Sequence, residues 1–114
     1  MACQGTTGEG IQTGNDHTFD EMARSGGLVL AEFWGAWCAD CDTVGAAVNA
    51  VAAEFSGHLR VVRLQVERNP ETTRRHGIVT LPTLLFFKDG TVVGRHIGGM
   101  ALPALRARIA ELLG

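Results

Sequence analysis

Two cysteines three positions apart, Cys38 and Cys41, are the residues of this chain best suited to covalent chemistry. They follow an apolar, β-prone run, Leu28-Val29-Leu30-Ala31-Glu32-Phe33-Trp34, by way of the turn Gly35-Ala36-Trp37. Behind them, Asp42 to Phe55 is rich in helix-forming alanine, so the pattern predicts strand, turn, dithiol, helix. A thiol at the start of a helix faces unpaired backbone N–H groups and the positive end of the helix dipole. Both favour the thiolate, the nucleophile of thiol–disulfide exchange. The i, i+3 spacing puts Cys41 on the same helical face, near enough to close a small ring with Cys38. Cys38, at the exposed edge of the turn, is the expected attacker, and Cys41, drawn under the helix, is expected to resolve the mixed disulfide.

A Cys-x-x-Cys pair is also half of a zinc site. Structural zinc needs four ligands, normally from a second Cys-x-x-Cys or a His pair. Here His17, His58, His76 and His96 are scattered singly, and Cys3 has no partner at ligand spacing. A redox role is therefore expected, with no metal.

Glu32 breaks the apolar strand six residues before Cys38. A charge there is costly to bury. Either strand alternation turns it outward or a neighbouring arginine satisfies it, or else it is a buried carboxyl of raised pKa behind the dithiol, exchanging a proton with Cys41.

The elements that must hold these groups fit one domain. The chain has 114 residues, 46% apolar and 19% charged, with a net charge of −2. That is enough for one core, and the dispersed basic residues leave no nucleic-acid footprint. No apolar run reaches the ~18 residues of a membrane span. The first ten residues have neither a positive n-region nor a hydrophobic segment. A cytoplasmic protein, expected to be monomeric, is the reading, and a reducing compartment suits a catalytic dithiol better than a disulfide framework.

Residues 1–14 read as a flexible, glycine-rich arm with a possible short strand at Ile11 to Thr13, and residues 15–114 as the folded domain. Thr18-Phe19-Asp20-Glu21 predicts a capping box opening a short helix that Gly26-Gly27 ends. Leu28 to Phe33 reads as a strand covered on both faces. Val44, Val48, Val51, Ala52 and Phe55 form a helical stripe, and Leu59 to Val66 reads as the next strand. Asn69 and Pro70 open a short helix as cap and first-turn proline, and Gly77 stops it. Thr83 to Phe87 and Thr91 to Ile97 pair through the hairpin signal Asp89-Gly90, and Pro103 to Leu113 forms the last helix. Strands alternating with helices imply an α/β fold: a central mixed β-sheet with helices on both faces.

Phe33-Trp34, Trp37-Cys38-x-x-Cys41, Asn69-Pro70, Gly77-Ile78, Leu81-Pro82-Thr83, Phe87-Lys88-Asp89-Gly90 and Gly98 resemble the thioredoxin family in order and spacing, from about Phe19 to the C-terminus. The resemblance implies the thioredoxin fold. It also implies attack by Cys38 on a protein disulfide with resolution by Cys41, no cofactor beyond that disulfide, and re-reduction by a thioredoxin-reductase-type partner. Glu32 falls where the family usually carries a buried aspartate thought to assist proton transfer. Leu81-Pro82 would be a cis peptide beside the dithiol. Trp37, Ala39, Leu81, Pro82, Gly98 and Gly99 would receive an extended substrate segment. The chain departs from the family in having Ala39-Asp40 between the cysteines, Asp42 after them, and no proline near Ala46. Asp40 and Asp42 suit a helix N-terminus, but as like charges near a thiolate they should raise its pKa. A Cys38 pKa at or above ~7 and a potential near or below roughly −270 mV are expected. The rival reading is a non-enzymatic module of the same fold that docks a partner without using its dithiol.

Overall fold

The computed structural model describes residues 11–114, so Cys3 and most of the expected flexible arm lie outside the described residues. In chain order the elements are β1 (Ile11–Thr13), α1 (Phe19–Ala23), β2 (Leu28–Trp34), α2 (Cys41–Glu54) and β3 (Leu59–Gln65). A 3-10 turn (Val66–Arg68) follows, then α3 (Pro70–Arg75), β4 (Thr83–Lys88), β5 (Thr91–Ile97) and α4 (Leu102–Leu113). The five strands form one sheet in the order β1-β3-β2-β4-β5. β1 and β2 flank β3 in parallel, while β2–β4 and β4–β5 are antiparallel, so the sheet is mixed as expected.

β2 lies in the middle, and its side chains alternate between two apolar layers. Leu28 and Leu30 join Val61, Leu84 and Phe86 beneath α2 and α4. Val29, Ala31 and Phe33 join Val62, Leu64, Leu85 and Phe87 beneath α1 and Ile78. Helices on both faces explain why the strand reads as a continuous apolar run. They also correct one option for Glu32: alternation does not turn it to solvent. It turns Glu32 to the face of Leu28 and Leu30, under α2, where it is 2% exposed.

Three helix starts differ from expectation. Thr18 makes no side-chain cap for α1. The reciprocal bonds fall one turn earlier: Asn15 Oδ1 accepts from the N–H groups of His17 and Thr18 at 2.8 and 3.0 Å, and Thr18 Oγ1 accepts the Asn15 N–H at 3.1 Å. Asn69 precedes Pro70 as predicted but does not cap α3 with its side chain. Its Oδ1 accepts from Asp16 N–H and its Nδ2 donates to the Gln65 carbonyl. Asp16, remote in sequence, caps α3 instead, accepting from Thr72 N–H at 2.8 Å and Glu71 N–H at 3.3 Å. The third is α2, which begins at Cys41 and runs unbroken to Glu54. The β4–β5 hairpin turns as predicted, with Asp89 and Gly90 at positive φ.

Candidate active site

The parallel ends of β2 and β3 point to the same edge of the sheet, and the loop from β2 to α2 carries the two cysteines across that edge. Cys38 and Cys41 are joined in a disulfide, with Cα atoms 5.3 Å apart. Cys38 does not lie within the helix. It sits in the turn just ahead of it, its N–H donating to the Gly35 carbonyl at 3.2 Å and its carbonyl accepting from Cys41 N–H at 3.3 Å. Cys41, the first helical residue, is 6% exposed, whereas Cys38 is half-buried. The asymmetry follows from position: Cys38 stands in the exposed turn ahead of α2, whereas Cys41 is its first residue and is buried.

Beneath the disulfide lies a cavity of about 360 Å3 whose walls include Glu32, Trp34, Cys38, Cys41, Asp42, Asn49 and Arg63. Glu32 and Arg63 are register partners on β2 and β3, and on the same face of the sheet. Arg63 Nε donates to Glu32 Oε1 at 2.7 Å, and one of its terminal nitrogens donates to the Gly45 carbonyl of α2, also at 2.7 Å. Burial pushes the Glu32 carboxyl above the ordinary glutamate range, although the hydrogen bond and charge of Arg63 pull the other way. The arginine keeps a buried carboxylate tolerable without abolishing the cost of burying it. Glu32 and both cysteines line that one cavity.

Leu81-Pro82 is a cis peptide, as the resemblance implied. Pro82 is buried and Leu81 half-buried, and the Pro82 carbonyl accepts from Gly98 N–H at 2.8 Å. Leu81 closes on the dithiol loop at Gly35, where a Cβ would stand only 2.8 Å from Leu81 Cδ1. The Gly99 carbonyl is held by His96 Nε2 at 2.8 Å. Ala39, Asp40 and Asp42 are exposed, and Asp40, at the N-cap position of α2, makes no side-chain cap bond. Trp37 is 73% exposed and walls a second groove, of about 440 Å3, with Ile78 and with Val79, which is 90% exposed. A larger cavity of about 540 Å3 opens at the far end of the sheet, around Leu28 and Leu59, and among the described residues its wall holds no cysteine or acidic side chain.

A disulfide at a helix start, a cis-proline segment beside it and a buried carboxyl below it occur here on a mixed five-stranded sheet. A family model described as thioredoxin matches residues 10–111. The chain belongs to the thioredoxin family. A thioredoxin of Mycobacterium tuberculosis (strain H37Rv) is 38% identical over 85 residues, covering 75% of this chain and 73% of that protein. One from Alicyclobacillus acidocaldarius is 35% identical over 98 residues, 86% of this chain and 93% of the relative. One from Listeria monocytogenes is 42% identical over 83 residues, 73% and 80% of the two chains. This member of the thioredoxin family is a thiol–disulfide oxidoreductase, and its cysteine pair is the redox centre.

Sequence reasoning left two groups of this site unnamed. Arg63 is one of ten basic residues, and nothing local marks it as the partner of Glu32. Its signal was available only as a pairing: an arginine inside an apolar strand, in register with a glutamate inside another. Glu67 is the other. It stands on the 3-10 turn after β3, and its Oε2 accepts from the Ala36 N–H of the dithiol loop at 3.1 Å.

Proposed function

We propose that this protein reduces disulfides in other proteins by a two-step exchange. The Cys38 thiolate attacks one sulfur of a substrate disulfide, forming a mixed disulfide and releasing the first substrate thiolate. Cys41 then gives its proton toward Glu32 and attacks the Cys38 sulfur. The Cys38–Cys41 bond forms, the mixed disulfide breaks, and the second substrate sulfur leaves as a thiolate that takes a proton from solvent, while Glu32 returns its own to solvent through the cavity. Two electrons pass from the dithiol to the substrate, and a thioredoxin-reductase-type partner returns two. The sulfurs carry the electrons, so the cycle needs no added cofactor.

The unequal burial of the two cysteines carries this reading: Cys38, the more exposed, meets the substrate, and Cys41, buried, shares with it the cavity that Glu32 and Arg63 also wall. Glu32, with its raised pKa, is the proton acceptor, and Arg63 positions it. Trp37, Ala39, Leu81, Pro82, Gly98 and Gly99 receive an extended substrate segment. Asp40 and Asp42 set negative charge beside Cys38 and raise its pKa. No described helix is long and apolar enough to cross a membrane, and we place the enzyme in the cytoplasm as a monomer.

Insulin reduction with dithiothreitol tests the reading. Wild type should accelerate precipitation of the insulin chains, and Cys38→Ser should not; equal rates would sink it. Cys41→Ser should hold insulin as a stalled mixed disulfide on Cys38, visible as a mass adduct that a reductant removes.

A further inference from the structure

The loop that presents Cys38 is held from outside by a side chain that performs none of the exchange chemistry. Glu67 stands on the Val66–Arg68 turn, and that turn is itself fixed. Asn69, 8% exposed, donates its N–H to the Val66 carbonyl at 3.1 Å and its Nδ2 to the Gln65 carbonyl at 2.9 Å. The carboxylate of Glu67 therefore has a set position. Its Oε2 accepts from the Ala36 N–H at 3.1 Å and also from Gln65 Nε2. Its Oε1 lies over Gly35, 3.3 Å from where a Cβ would stand, and Leu81 Cδ1 closes on the same spot. The Gly35 carbonyl in turn accepts the Cys38 N–H. Glu67, the dithiol turn and the Leu81-Pro82 segment thus meet at one glycine.

We propose that Glu67 is a positioning residue for thiol–disulfide exchange: by accepting the Ala36 N–H it clamps the Gly35–Cys38 turn and holds Cys38 in its attacking position. A carboxylate suits the task because one oxygen takes two donors while the other packs on the loop, and a charged acceptor strengthens both bonds. Partial desolvation pushes the Glu67 carboxyl up. Hydrogen bonds from Gln65, its own N–H and Ala36, with the charge of Arg68, outweigh this and hold it below the ordinary glutamate range. The clamp is therefore ionised at neutral pH. Its effect on rate rests on the reading of Cys38 as the attacking sulfur.

The test compares Glu67→Ala with Glu67→Gln, in which an amide oxygen remains to accept the Ala36 N–H. Glu67→Ala should lower kcat/KM for insulin reduction by about three- to tenfold, the factor that an ordinary net hydrogen bond carries. Glu67→Gln should recover most of that loss. In parallel, amide exchange at Ala36 should quicken in Glu67→Ala and stay near wild type in Glu67→Gln. Equal slowing in both variants, with the alkylation pH profile of Cys38 displaced alike, would show that the charge and not the clamp matters, and would overturn the proposal. So would an unchanged Ala36 exchange rate in Glu67→Ala. Because exchange is read without turnover, failure of the clamp is distinguishable from failure of Cys38 as attacker.

Discussion

The two faces of the sheet are built from neighbouring residues of one strand, yet they do different work. Phe33 points to the layer beneath α1, where it packs against Phe19 with tilted rings 5.6 Å apart between centroids and is fully buried. Phe87 and His76 complete that aromatic cluster. One residue earlier, Glu32 points to the layer beneath α2 and opens a polar cavity under the dithiol. The carboxylates differ in the same way. Glu32 is pushed above its ordinary pKa by burial, whereas Asp16, on the α1–α3 side, is held below it by hydrogen bonds from Thr72 and Glu71 and the charge of Arg75. Both faces bury an apolar layer, but only the one beneath α2 also holds a buried carboxyl, which we read as the proton acceptor.

Substitutions should separate those faces. Cys38→Ser should cost the most activity, on the order of 10³-fold or more in insulin reduction, because a hydroxyl at neutral pH supplies almost no anion. Its urea midpoint, measured beside the reduced wild type, should scarcely move. Phe33→Ala should do the reverse, losing about 3–5 kcal/mol of stability in urea titration while the molecules still folded keep their exchange rate. A stable Phe33→Ala protein without activity would break the comparison.

Glu32→Gln should slow turnover by up to about 10²-fold, the lower range for a positioned acid or base, and should remove one limb of the pH–rate profile. It should also change how the oxidised protein responds to pH. Between 4.5, the ordinary value, and the raised value of Glu32, the folded protein keeps a proton that the unfolded chain has released. Stability therefore falls as pH rises through that window, and Glu32→Gln should flatten the fall. Asp16 has the opposite sign: its contribution is present above 3.8 and is lost as pH falls through its lowered folded value. Asp16→Asn should flatten that acid limb without touching the exchange rate. Smallest of all, Asp40→Asn should displace the alkylation pH profile of Cys38 slightly downward, because the lost like charge is exposed and screened. A rise would contradict the like-charge reading.

Much of the fold was legible because its signals are local. The apolar run of β2, the stripe of α2, the Asp89-Gly90 turn and the spacing of the two cysteines each act within a few residues, whereas the place of Pro82 beside them was implied by the family resemblance. The misreadings share one cause. Thr18 and Asn69 carry capping side chains, but the donors they meet depend on which segment lies alongside. Asn15 bonded to Thr18 first, and Asp16 arrived at α3 from a distant part of the chain. Glu32 remained undecided between solvent, an arginine and a proton relay, because its face is fixed only once helices cover both sides of the sheet.

The order of amino acids by itself determined the elements, the mixed sheet they form and the pair of thiols at the start of a helix, since periodicity, turn residues and spacing are properties of the chain within a few positions. Only the tertiary structure decided that Arg63 meets Glu32, that the cavity joins them to the residues of the dithiol, and that Glu67 reaches Ala36. Those pairings span 31 residues in each case. Their existence depends on the parallel register of β2 and β3, which is set by packing of the whole sheet and not by any stretch short enough to read alone.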